Sequence, residues 1–296
     1  MTNRFKRIGA DLSLMAVAIV WGSTFLIVQD VTKQTPVYTF LFWRFLLAAL
    51  LMALFGIKRL RLIDEKTLLA GFVLGAFLFL GYAFQTFALA YAYSSTVGFI
   101  TGLNVVITPF VVLMIFKKGV SLYSCAGAFI AALGLYFLSA NTEINMGKGE
   151  FYALICAVMF SFQIVFTEVY TKKYDTYLLV FVQFSAVTLF CLFGIFTLGN
   201  PLFPPKFDYT FIKALLITSV FATVFAFFVQ TAMQKFTSST KTAVIFACEP
   251  VVAGVVGYFF ANELLTFIQL VGAFLIIAGM LMSEIGDYLF KKFASN

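Results

Sequence analysis

Two ionisable side chains stand inside long apolar runs, and they are the first candidates for chemistry. Arg44 lies in FWRFLLAALL (residues 42–51), and Glu249 directly precedes Pro250 in CEPVVAG (residues 248–254). A charge at such a position costs roughly 2.5 to 3.5 kcal/mol on insertion scales, so each must find a partner or a water-filled cavity. Two readings stand for Arg44. Its planar fork suits a bidentate clamp on carboxylate or phosphate, and it also suits a structural cation that caps carbonyls or snorkels to an interface. Glu249 has three readings: a proton carrier, a partner for a substrate ammonium, or a strut bonded to the helix that Pro250 breaks. Pro109 in a corresponding earlier run is expected to break its helix in the same way.

Uncharged polar residues at middle depths of other apolar runs extend this set: Trp21, Ser23, Tyr82, Gln85, Asn104, Gln163 and Gln230. Singly, each reads as interhelical hydrogen bonding. As a cluster drawn from both halves of the chain, they predict a central polar cavity with aromatic walls. Arg44 and Glu249 at its poles would suit a zwitterion such as an amino acid. Glu168 lies one turn before Lys172 and predicts an interfacial ion pair.

The elements that carry these residues follow from composition. The 296 residues are 62% hydrophobic and 11% charged, and mean hydropathy is +1.01. A soluble globular chain is nearer half apolar and about a quarter charged. The excess needs lipid as solvent, which excludes an ordinary cytosolic enzyme, a disordered chain and a nucleic-acid-binding domain. The net charge of +7 reads as basic loops on the cytoplasmic face. With no histidine, imidazole relays and Ser-His triads are excluded. Cys125, Cys156, Cys191 and Cys248 show no metal-ligand spacing and read as lipid- or core-facing. No metal or cofactor is expected.

At about 20 apolar residues per crossing, the runs predict ten transmembrane helices. They fall near residues 10–29, 37–55, 68–91, 95–116, 122–139, 149–170, 177–198, 211–234, 239–261 and 265–285. With the N-terminus inside, the cytoplasmic segments hold fifteen Lys and Arg, at 4–7, 58–66, 117–118, 172–173, 235–241 and 291–292. The outer loops hold Lys33, Lys148, Lys206 and Lys213. This bias and the even span count predict that both termini are cytoplasmic (N-in/C-in).

The chain also repeats itself at a shift of about 145 residues. Gln85-Thr86 answers Gln230-Thr231, and GAFIAALG (127–134) answers GAFLIIAG (272–279). Five spans is an odd number, so the second copy enters the membrane from the opposite side. The fold class is therefore an all-α integral membrane protein of two inverted five-helix repeats, residues 1–142 and 143–296, around a shared site.

The order of WGSTF (21–25), FWRFLLAALL (42–51), YSSTVGFITGLNVVITP (93–109) and CEPVVAG followed by ANELLTFIQLVGAFLIIAG (261–279) resembles the EamA family of the drug/metabolite transporter superfamily. The resemblance covers both halves. It implies a secondary carrier of a bacterial inner membrane, often an exporter of amino acids, other small metabolites or drugs. The expected partners are a small-molecule substrate, the lipid bilayer and protons as coupling ion. No GxxxxGK[ST] phosphate loop is present for ATP-driven transport. The competing readings are translocation of lipid or lipid-linked sugar, a membrane receptor, and a membrane-embedded enzyme. The last lacks an aspartate pair within a span, since Asp11 and Asp30 fall at span ends.

Overall fold

The computed structural model describes residues 3–92, 94–117, 121–138, 147–261 and 266–293. These form thirteen α-helices and one π-helical turn, with no strand among the described residues. In chain order they are α1 (Asn3–Thr32), α2 (Val37–Leu60), α3 (Glu65–Tyr91), α4 (Ser94–Gly102), α5 (Asn104–Phe116), α6 (Leu122–Leu138), α7 (Lys148–Thr171) and α8 (Thr176–Leu198). There follow α9 (Tyr209–Ser219), the π turn (Val220–Phe225), α10 (Ala226–Met233), α11 (Ser239–Phe246), α12 (Glu249–Ala261) and α13 (Phe267–Phe293). Eight helical stretches are long and apolar enough to cross a membrane, and two shorter apolar helices accompany them, Leu122–Phe137 and Phe267–Ser283.

Large apolar side chains face outward along these stretches, among them Leu54, Phe55, Phe193, Phe196 and Phe274. Such a surface is stable only against lipid. Caps set the helix starts at the polar ends. The Asp64 carboxylate accepts the Thr67 N–H to open α3, Asp175 does the same for Tyr177 and Leu178 in α8, and Asp208 for Phe211 in α9.

The two halves interlock rather than sit side by side. From the first half, α3 packs on α7 and α8, α2 on α8, α6 on α13 and α1 on α12. Exchanging the halves maps these contacts onto others that are also present. The α1–α12 pair corresponds to α5–α7, and the α3–α7 pair corresponds to α1 against α9 and α10. The core follows this interlocking. Phe40, Phe45, Leu78, Phe184 and Phe227 are buried where the halves meet.

Two of the expected spans are broken, and the breaks fall 145 residues apart. The first separates α4 from α5 at Leu103, and the second separates α11 from α12 at Ala247–Cys248. In the first half the break does not fall at Pro109, which lies inside the continuous α5. Gly102 and Asn104 flank the actual break, and both are poor helix formers. The Leu103 N–H closes a tight turn onto the Ile100 carbonyl instead. In the second half, Pro250 is the second residue of α12, where a missing N–H leaves no gap in the ladder.

Lipid supplies no hydrophobic drive between helices, so close approach of small residues must hold them together. One such close contact is α6 on α13. A Cβ added to Gly127 would lie 2.5 Å from the Gly279 carbonyl oxygen, and one added to Gly134 would lie 2.6 Å from that of Gly272. Backbone cannot yield as a flexible side chain does. Gly127→Ala should therefore destabilise the protein by about 1 to 3 kcal/mol. Gly9→Ala, with nothing within 4 Å, should be neutral or stabilising by up to about 1 kcal/mol. Thermal unfolding of the two variants in one detergent checks the contrast.

Candidate functional site

One cavity gathers the polar residues. It encloses about 740 Å³ of space, part of it open to the surroundings, and is lined from both halves. α1 contributes Trp21, Thr24, Phe25 and Val28; α2 contributes Arg44; α3 contributes Tyr82, Gln85 and Leu89. The break between α4 and α5 places Thr101, Gly102 and Asn104 in the wall, and the break between α11 and α12 places Phe246, Glu249 and Pro250 there. α7 adds Phe160, Gln163 and Ile164, and α10 adds Phe227 and Gln230. Asn104 and Glu249 occupy corresponding positions, each the first residue of the helix after its break.

Of the residues expected from sequence, Trp21, Arg44, Tyr82, Gln85, Asn104, Gln163, Gln230, Glu249 and Pro250 line this space. Ser23 does not. Its hydroxyl donates to the Val20 carbonyl of its own helix at 2.8 Å, and Thr24 stands in the wall beside it. A shift of one residue turns a side chain by about 100° around the helix, which decides between the two. Pro109 also lies away from the cavity lining.

Arg44 is only 2% exposed and has no carboxylate partner among the described residues. Neutral dipoles hold it instead. Its Nε donates to the Thr223 hydroxyl at 2.8 Å, and its Nη2 donates to the Tyr82 hydroxyl at 3.2 Å and the Ala222 carbonyl at 3.3 Å. The guanidinium carbon sits 4.5 Å from the Tyr82 ring centroid, a cation–π contact. The Ala222 carbonyl also accepts the Trp21 indole N–H at 2.8 Å. Thr223 and Ala222 belong to the π turn, a feature with no side-chain signature in the sequence.

Glu249 is partly buried, and no hydrogen bond or ion pair reaches its carboxylate among the described residues. α1 approaches this first turn of α12 closely at Gly22, where an added Cβ would lie 2.5 Å from the Glu249 carbonyl oxygen. The strut reading of Glu249 thus lacks a side-chain bond to carry it, while its carboxylate faces open space.

Aromatic rings enclose the middle of the cavity. Trp21 packs against Phe227 at 5.1 Å and Phe246 at 4.9 Å, and Tyr82 packs against Phe160 at 5.4 Å. A buried amide cluster joins α7 to α10 at the cavity wall. Gln230 donates to Gln163 at 3.0 Å and to Gln234 at 3.2 Å, Gln163 donates to Thr167, and Gln234 donates to the Ile164 carbonyl. Beyond it, Glu168 accepts from Lys172 at 2.6 Å and from the backbone N–H and hydroxyl of Ser239, tying α7 to the start of α11. Sequence reasoning missed Thr24, Phe227, Phe246 and Gln234 because helix rotation is not encoded by one apolar run.

Residues 8–140 and 147–284 each match the EamA-like transporter family. A protein of Archaeoglobus fulgidus named as an uncharacterized transporter is 35% identical over 280 residues, covering 94% of this chain and 86% of the relative. The chain belongs to the EamA-like transporter family. A second transporter of the same organism is 26% identical over 283 residues, covering 92% of this chain and 96% of that protein. A crystal structure of a protein 17% identical superposes with a TM-score of 0.78, covering 94% of this chain and 97% of that one, which extends the likeness of fold. The protein is accordingly a multi-span membrane transporter of two repeats, not an enzyme.

In such a transporter the amide cluster carries a measurable load. Gln230→Leu removes the donor to two buried acceptors, Gln163 Oε1 and Gln234 Oε1. Leaving buried polar groups unpaired costs about 1 to 3 kcal/mol, so the variant should melt several degrees lower in detergent. A melting temperature equal to that of the parent protein would show that water replaces the Gln230 amide at no cost.

Proposed function

We propose that this transporter is a secondary carrier of small zwitterionic metabolites such as amino acids, working by alternating access around the central cavity. One observation carries the reading. Arg44 and Glu249, of opposite charge, line the same cavity, and neither is neutralised by a charged protein partner among the described residues. A cargo that brings its own carboxylate and ammonium satisfies both at once. A purely apolar lipid tail satisfies neither, and the aromatic walls suit the apolar remainder of a small solute.

The carrier is read as ten spans in two inverted five-helix repeats, residues 1–142 and 143–296, in the cell (inner) membrane with both termini cytoplasmic. On that topology the amide cluster of Gln163, Gln230 and Gln234 lies on the cytoplasmic side of the cavity, and Val28, Leu89 and Gly98 lie toward the opposite face. Export is the net direction proposed, with protons as coupling ion and Glu249 as their carrier. Trp21, Tyr82, Gln85, Asn104, Gln163 and Gln230 complete the proposed substrate site.

Uptake into liposomes containing the purified protein tests this reading. A mixed panel of amino acids, nucleosides, sugars, organic acids and cationic drugs is offered with and without a pH gradient, and accumulation is read by mass spectrometry against empty liposomes. Selective accumulation of zwitterions, faster under the gradient, is expected. Glu249→Gln should reduce the rate under the gradient to the rate without it, since a carboxamide cannot exchange a proton. Glu249→Gln that retains the full response to the gradient would falsify proton carriage by this residue. Movement of labelled lipid with no solute uptake would replace the small-metabolite reading altogether.

A further inference from the structure

The two halves match in their helix breaks but not around Arg44. α1 and α7 end at Thr32 and Thr171, and α2 and α8 begin at Val37 and Thr176, so the counterpart of Arg44 is Gln183, buried but uncharged. The stretch 145 positions before the π turn, residues 75–80, lies in the unbroken α3. Among the described residues the π turn has no counterpart and no cation answers Arg44, and the two face each other. A π turn inserts one residue into an α-helix and shifts the angular position of the residues after it. Here it places Ala222 and Thr223 together on the Arg44 side, where a carbonyl and a hydroxyl both accept from the guanidinium.

Counting donors shows what the turn leaves over. A guanidinium has five N–H groups in a fixed plane. Nε is taken by Thr223, and Nη2 is shared between Tyr82 and Ala222. Nη1 has no acceptor among the described residues, and Arg44 lines the cavity. The plane itself is pinned. Thr223 is fixed by donating its hydroxyl to the Thr218 carbonyl at 2.8 Å, and Ser219 donates to the Arg44 carbonyl at 3.0 Å, which ties α2 to the end of α9.

We propose that the π turn is a specificity element. Thr223, through the Arg44 Nε, holds the guanidinium so that Nη1 presents to the carboxylate of the cargo, and since no equivalent cation exists in the other half, the cargo binds in one orientation. Thr223 is a positioning residue and does not itself touch cargo. The functional half of this proposal rests on the zwitterion reading given above; the geometric half does not.

Two measurements on the full chain separate these halves. In the first, the protein is labelled with ¹⁵N-arginine and held in nanodiscs, and exchange of arginine side-chain protons is followed by NMR. The chain has five arginines, and Arg44→Lys assigns the Arg44 signal. The Arg44 Nε–H is expected to exchange at least about tenfold more slowly than those of Arg7, Arg59 and Arg61, as a buried hydrogen-bonded donor does. Thr223→Val keeps the shape and removes the acceptor, so this protection should be lost; Thr223→Ser should retain it. Thr223→Ala serves if the valine variant does not fold.

In the second, an equimolar mixture of the twenty amino acids is offered to liposomes. For the amino acid that accumulates, Thr223→Val should raise the half-saturating concentration by about tenfold with the maximal rate within about twofold, the pattern of a lost binding contact. Thr223→Ser should restore it. The amide of that amino acid, which lacks the carboxylate, should compete equally with uptake by both proteins. Slow Arg44 exchange persisting in Thr223→Val overturns the positioning role. A change in maximal rate alone overturns the link to cargo. If no amino acid accumulates while Thr223→Val still loses protection, the zwitterion reading fails and the positioning of Arg44 stands.

Discussion

A permanently charged guanidinium inside a lipid-embedded core is the constraint around which the rest is arranged. Arg44 cannot shed its proton, and no carboxylate pairs with it among the described residues. Each hydrogen bond to a charged group offsets about 1.5 to 3 kcal/mol, and three protein acceptors surround it. Supplying them requires an irregular backbone in the facing helix, the stacked ring of Tyr82, and Trp21 sharing the same carbonyl. α2, α3, the π turn and α1 thus converge on one side chain. Their convergence also forms one wall of the cavity.

The backbone irregularities have a common logic. In hydrocarbon, an unpaired N–H or C=O costs several kcal/mol, so helices break only where protein or a water-filled space can satisfy the freed groups. The break before Asn104, the break before Glu249 and the π turn at Val220–Phe225 all border the same cavity or its Arg44 wall. Outside these places α2 also kinks, at Gly56 near its end. Tight backbone contacts join α6 to α13 at Gly127, Gly134 and Gly279, and α1 to α12 beside the cavity at Gly22. The molecule therefore combines a close-packed helix pair, α6 and α13, with broken helices around the cavity.

Polarity along the cavity is equally uneven. Gln163, Gln230 and Gln234 form a fully buried amide cluster at one end, while Phe25, Val28 and Leu89 line the other. Amide hydrogen bonds between helices are modest in strength in membranes, and water can replace them without leaving an unpaired charge.

How much of this was legible beforehand is clearest at single residues. The all-helical membrane class, the repeat at about 145 residues and the inward placement of Arg44, Tyr82, Gln163 and Gln230 followed from hydropathy, spacing and the cost of polar groups in lipid. Those signals are local and survive in one dimension. Three features were not local. Helix rotation chose Thr24 over Ser23 for the wall, because neighbours on a helix differ by about 100°. The break before Asn104, rather than at Pro109, was not readable either, since a proline removes one donor and crowds the carbonyl four residues before it but does not alone fix where a helix yields. The partners of Arg44 lay about 180 residues away in a π turn whose acceptor is a backbone carbonyl. Every residue has a carbonyl, so only the tertiary structure could say which one the guanidinium meets.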